Sequence, residues 1–144
     1  MVKKLIYSTL ALAALLSCQK LVLPKDDSAC DLRSLTVHVH YDASDPSKTM
    51  DFDAMTDALD ESTGEGTFSF PRDPELYNAE TLARCTVEAS IPSTATLVAY
   101  EEDGSVRPGG LGGTWNLANG SVIFDIVAAN GDRRHYDFLF RLRR

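Results

Sequence analysis

Apolar and polar residues alternate at several places along the chain, and each alternation predicts a strand. Leu35, Val37, Val39 and Tyr41 are separated by Thr36, His38 and His40. Cys85, Val87, Ala89 and Ile91 are separated by Thr86, Glu88 and Ser90. Val122, Phe124, Ile126 and Ala128 form one row, and Tyr136, Phe138, Phe140 and Leu142 form another. A period of two puts each row on one face of a pleated strand. Asn130-Gly131 lies between the last two rows, and this dipeptide predicts a type I′ hairpin turn, whose two central residues both need positive φ. A hairpin with two apolar rows needs a second layer to cover it.

Shorter runs predict the remaining strands at Met50–Phe52, Thr67–Phe70 and Thr96–Tyr100. Prolines, glycines and aspartates predict loops at DASDPSK (42–48), PRDPELYNA (71–79) and GSVRPGGLGG (104–113). Ala54, Met55, Ala58 and Leu59 have helical spacing and predict a short helical turn near residues 54–60. Short strands punctuated by turns give an all-β fold, an antiparallel β-sandwich of one domain.

The first residues read differently. Lys3 and Lys4 precede an apolar run from Leu5 to Leu16. That run is shorter than the roughly 20 residues a membrane-spanning helix needs, and it has the length of a signal-peptide core. It stops at Leu15-Leu16-Ser17-Cys18, which resembles the lipobox of bacterial lipoproteins. The resemblance implies cleavage before Cys18, a diacylglycerol on its sulfur and an acylated amino group. Two or more acyl chains suffice for stable anchoring, since each buried CH₂ contributes about 0.8 kcal/mol. The predicted organisation is a signal peptide over 1–17, a flexible tether over 18–30 containing Pro24 and Lys25-Asp26-Asp27, and a folded domain over 31–144. Gln19 follows the cysteine where an inner-membrane retention signal would have Asp, so the expected address is the outer membrane, with its periplasmic and cell-surface faces both open.

Charge narrows the partners. The chain carries a formal net charge of −7, and loss of Lys3 and Lys4 leaves 12 basic against 21 acidic residues. No basic footprint for nucleic acid is present. Of the three cysteines, the lipid takes Cys18 and leaves Cys30 and Cys85 as a candidate disulfide in an oxidising compartment. Closing a loop of that size would contribute about 4 kcal/mol in the chain-entropy model. Two free thiols are the alternative.

Catalytic and metal chemistry finds little support. His38 and His40 share one strand face, as a metal pair would, but no third ligand can be named, and a polar solvent-facing row accounts for them. Asp51, Asp53 and Asp57 lack the glycine and terminal glutamate of an EF-hand. Gly109-Gly110-Leu111-Gly112-Gly113 lacks the GK[ST] of a phosphate loop. The reading is therefore no enzyme, no cofactor and no bound metal. Trp115, beside this glycine-rich stretch, is a candidate ligand contact that would stack on a sugar face. The alternative is a core position between sheets.

One stretch carries a wider resemblance. GSVIFDIVAANGDRRHYDFLFRL is similar to the closing hairpin of small immunoglobulin-like domains in Gram-negative outer-membrane lipoproteins, matching at Val122, Phe124, Ile126, Ala128, Asn130, Gly131 and Tyr136. LARCTVEASIPSTATL, with Pro92 and Ala95, and Trp115-Asn116-Leu117 extend the likeness over about residues 80–142. Residues 51–66 depart from it as an Asp/Gly-rich insertion. The resemblance implies an immunoglobulin-like sandwich serving as a non-catalytic binding or scaffolding module, with a glycan or envelope proteins as partners. A structural or adhesive subunit of an envelope or fimbrial assembly is the alternative.

Overall fold

The alternating rows become strands in the computed structural model, which describes residues 27–55 and 59–143. Eight strands follow in order: β1 (Ser34–His40), β2 (Thr49–Asp53), β3 (Leu59–Asp60), β4 (Glu65–Ser69), β5 (Cys85–Ser90), β6 (Thr96–Tyr100), β7 (Ser121–Val127) and β8 (Arg133–Arg141). They form a three-stranded sheet of order β2-β1-β5 and a five-stranded sheet of order β3-β4-β8-β7-β6. The inward rows of both sheets meet in one core, so the fold is the expected all-β sandwich.

The core follows directly from the period of two. Leu35, Val37 and Val39 are fully buried on β1, as are Val122, Phe124, Ile126, Phe138 and Phe140 on β7 and β8. At one end Phe52 of β2 packs on Phe68 of β4 with ring centroids 5.5 Å apart, and on Phe70 at 5.7 Å. These edge-on and tilted contacts join the two sheets where aliphatic rows run out. Tyr136 is buried, and its hydroxyl accepts a hydrogen bond from the Leu32 amide at 2.8 Å, which ties the segment before β1 to β8 of the opposite sheet.

Four expectations need correction. Leu59 and Asp60 lie in strand β3, paired with Gly66 and Glu65, and Ala54 and Met55 lie in a turn. The described part of 54–60 is thus not helical, while residues 56–58 lie outside the described residues. Pairing to β4 gives Leu59 a sheet partner and a packed side chain, which a single helical turn would not supply.

Next, the β7–β8 loop is not a two-residue type I′ turn. Ala128 pairs back to Asp132 through an amide–carbonyl bond of 2.7 Å, and the Gly131 amide bonds the Ala128 carbonyl at 2.9 Å. The loop therefore has three residues, Ala129 to Gly131, and Gly131 supplies left-handed backbone at its last position, at φ +96°. Register parity explains the choice. The observed pairs are Phe124 with Tyr136 and Val122 with Phe138. A two-residue loop would shift the return strand by one, so that Phe124 faced Asp137 across the ladder.

The sheets are also not wholly antiparallel, because β4 runs parallel to β8. After β4 the chain crosses to β5 of the other sheet through residues 70–84, so β4 joins the final hairpin from outside rather than through a hairpin of its own. Finally, the orders β2-β1-β5 and β3-β4-β8-β7-β6 differ from the ABED and CFG sheets of an immunoglobulin domain. The sandwich stands without that finer connectivity.

Gly64 allows the parallel junction. Its φ is +78°, and a Cβ there would run into the His135 carbonyl. Its own carbonyl accepts the Asp137 amide at 2.9 Å. Gly131 has positive φ but open space around it. Gly131→Ala is therefore expected to cost about 1–2 kcal/mol from backbone strain alone. Gly64→Ala should cost roughly 1–3 kcal/mol more through forced displacement of backbone. Urea midpoints of the two variants check this, and equal losses would show that β4 does not press on β8 as described.

Candidate functional site

Cys18 lies outside the described residues. Cys30 and Cys85 are both free thiols, and the fold keeps them apart. Cys85 pairs with Val39 at the far end of β1, whereas Cys30 precedes Ser34 at its beginning. The length of β1 thus separates two groups whose Cα atoms a disulfide would need within about 7 Å. Cys85 is buried, its thiol pushed up to about 12 by desolvation, and it points to the Leu82 carbonyl at 3.4 Å. It is held protonated and unreactive.

Trp115 is a core residue, 7% exposed. Its backbone pairs with Cys85 at the β5 edge through bonds of 3.1 and 2.8 Å. The indole N–H donates to the Leu111 carbonyl at 3.0 Å, and the Arg107 guanidinium covers one ring face at 3.9 Å. Arg107 also reaches Glu101 and the Gly112 and Thr114 carbonyls. The glycine-rich loop is thereby folded over the indole, which presents no free face for a sugar.

The outward face of the three-stranded sheet is entirely polar. His38, on central β1, stands between Asp51 of β2 at 2.6 Å and Glu88 of β5 at 3.2 Å. His40 contacts the Pro46 carbonyl at 3.0 Å and the Thr86 hydroxyl at 3.1 Å. The two histidines share a face as the spacing predicts, but the ring nitrogens of each are already engaged. Among the described residues, no group of three or more His, Cys, Asp or Glu is arranged to hold a metal ion.

The outward face of the five-stranded sheet differs. Strand pairing aligns Tyr100, Ile123, Asp137 and Glu65 in one row across β6, β7, β8 and β4. A second row holds Val98, Asp125 and His135, and a third holds Ser121, Leu139 and Thr67. Asp125 is the organising group. It accepts the Tyr100 hydroxyl at 2.8 Å, Arg133 at 3.0 Å and His135 Nδ1 at 2.6 Å. Burial pushes its carboxyl up, but the hydrogen bonds from His135, Tyr100 and Arg133 outweigh this and hold it below the usual carboxylate value. The result is a fixed anionic centre on an otherwise half-apolar surface.

No motif in the sequence marks this cluster, whose members are separated along the chain and meet only through strand pairing. The signal that could have found it is the parity of the apolar rows. That parity sets the hairpin register, and the register places His135 opposite Asp125.

No family model matches the chain, and no curated protein matches it. Among solved structures, the chain is similar to a protein from Bacteroides fragilis NCTC 9343 described as a "putative secreted protein". The identity is 14%, the TM-score 0.48, and the match covers 81% of this chain and 98% of that one.

The His38 contacts imply a pH effect. The hydrogen bond that His38 donates to the Asp51 carboxylate holds the His38 pKa above its ordinary 6.5, against a smaller opposing push from burial, with Glu88 adding to the rise. A group whose folded pKa is raised stabilises the fold fully below its unfolded pKa, and the contribution disappears as pH climbs through the folded value. Denaturant midpoints are expected to fall between about pH 6 and 8, and the fall should shrink in His38→Asn. An NMR titration placing His38 below 6.5 would contradict the geometry.

Proposed function

We propose that this chain is a lipid-anchored, non-catalytic binding module of the bacterial outer membrane. The observation that carries the reading is the Leu15-Leu16-Ser17-Cys18 sequence behind Lys3-Lys4 and its short apolar core. Such a leader would deliver the chain across the inner membrane and leave Cys18 as the acylated first residue.

The folded part is compatible with this use. Asp27 is held at one end of the sandwich, where its carboxylate meets the Thr94 hydroxyl at 2.6 Å and its carbonyl accepts the Asn130 amide at 3.0 Å. Of the expected tether, Asp27 to Cys30 therefore rest on the sandwich, and residues 18–26 lie outside the described residues. A chain from Cys18 to Asp27 reaches at most about 30 Å. The lipid would thus hold the sandwich close to the bilayer surface by the end that carries the β7–β8 turn. The engaged histidines and the protonated Cys85 thiol favour a binding role over chemistry.

Cells expressing the protein and fed radioactive palmitate should yield a labelled, membrane-bound chain. Cys18→Ser should abolish the label and release the protein from the membrane fraction. Recovery of the wild-type chain in the medium with an unmodified amino terminus would end this reading.

A further inference from the structure

We propose that the outward face of the five-stranded sheet is a binding groove for an extended, uncharged oligosaccharide; this rests on the binding-module reading and names its ligand class and site. Three cavities lie along this face. One of about 290 Å³ is lined by Tyr100, Ile123, Asp125 and His135. A second of about 210 Å³ continues it through Tyr100, Glu101 and Glu102 to Asn116 and Ser121. A third of about 600 Å³ shares Ser121 and extends over Leu139, Thr67 and Asp137. The first two share Tyr100, Glu101 and Glu102, and the third adjoins the second at Ser121, so together they mark a shallow depression along β6, β7, β8 and β4.

The floor and walls of this depression have different chemistry. Tyr100, Ile123 and Leu139 are half-buried on a face that points away from the core. They lie on three neighbouring strands, each about 4.8 Å from the next, and give a stepped apolar floor. Around it stand the Glu101, Glu102, Asp137 and Glu65 carboxylates, which can only accept hydrogen bonds. Ser121, Thr67 and Asn116 can both donate and accept. His135 spends Nδ1 on Asp125, and among the described residues its Nε2 has no partner. The Asp125 network holds the Tyr100 hydroxyl to one side, which fixes the ring orientation before any ligand arrives.

A ligand that fits both parts must lay an apolar face on the floor and offer many hydroxyl donors to the walls. Sugar rings do this, with C–H faces for the aromatic and aliphatic side chains and hydroxyls for the carboxylates. The excess of carboxylates disfavours polyanions. Arg107 lines the second cavity and is paired with Glu101, and Arg133 is bonded to the lining residues Asp125 and Tyr100, so the wall is less suited to a run of basic side chains. The length across several strands favours a linear chain over a single sugar.

The full lipidated protein in detergent micelles would be titrated calorimetrically with cellohexaose, xylohexaose, mannohexaose and maltohexaose, and with octalysine as the basic competitor. At least one hexasaccharide is expected to bind. Tyr100→Ala should weaken that binding tenfold or more. Leu139→Ala, which leaves the Asp125 network untouched, should weaken it several-fold. Thr36→Ala on the opposite sheet should change nothing. Failure of all four sugars to bind the folded chain would overturn the proposal. So would octalysine binding in their place, or sugar binding that Tyr100→Ala and Leu139→Ala both leave intact. An anchored, labelled protein that binds no sugar would remove the groove and leave the module. An unlabelled protein that binds sugar would do the reverse.

Discussion

The inward face of the β7–β8 hairpin sets the terms for the rest of the molecule. Val122, Phe124, Ile126, Phe138 and Phe140 are fully removed from solvent and Tyr136 nearly so. Burying each is worth roughly 1.5–3 kcal/mol relative to leaving it in water. No single hairpin can cover its own face. The β1 row of Leu35, Val37 and Val39 supplies the cover, and the two flanking strands of its sheet follow from backbone pairing. The Phe52, Phe68, Phe70 and Phe140 cluster closes the seam between the sheets with aromatic contacts.

The same hairpin also builds the outward surface. In a pleated ladder, each inward pair fixes the outward pair beside it. Phe124 opposite Tyr136 requires Asp125 opposite His135, and Val122 opposite Phe138 requires Ile123 opposite Asp137. Core packing and surface chemistry are thus locked by one register. A slip of β8 by one residue would turn His135 and Asp137 into the core and the Tyr136, Phe138 and Phe140 rings into water. The groove is a by-product of the strand order β4-β8-β7-β6, which lines up outward residues from four distant stretches of sequence.

The two sheets make opposite use of their outward faces. On the smaller sheet, Asp51, Glu88, Thr86 and the Pro46 carbonyl occupy the ring nitrogens of both histidines, so the face is internally satisfied. On the larger sheet, hydrogen bonding concentrates on Asp125 and leaves the neighbouring rows half-apolar and open. Trp115, the aromatic that stands out in the sequence, went to the core. A Cys85 backbone partner, a Leu111 carbonyl and a covering arginine were all within its reach.

Alternation alone determined most of the strands, the inward rows and the two-layer all-β character, because a period of two has only one way to bury its apolar set. It also placed His38 and His40 together on a solvent-facing row. The proposed leader rests on a local sequence signal, Leu15-Leu16-Ser17-Cys18 behind Lys3-Lys4, and lies outside the described residues. Tertiary structure alone decided the parallel β4–β8 pairing, the strand at Leu59–Asp60, the separation of Cys30 from Cys85, and the burial of Trp115. Each of these depends on which distant segments become neighbours. Short-range patterns carry no information about that until the sheets close on one another and every buried amide and aromatic ring has found its partner.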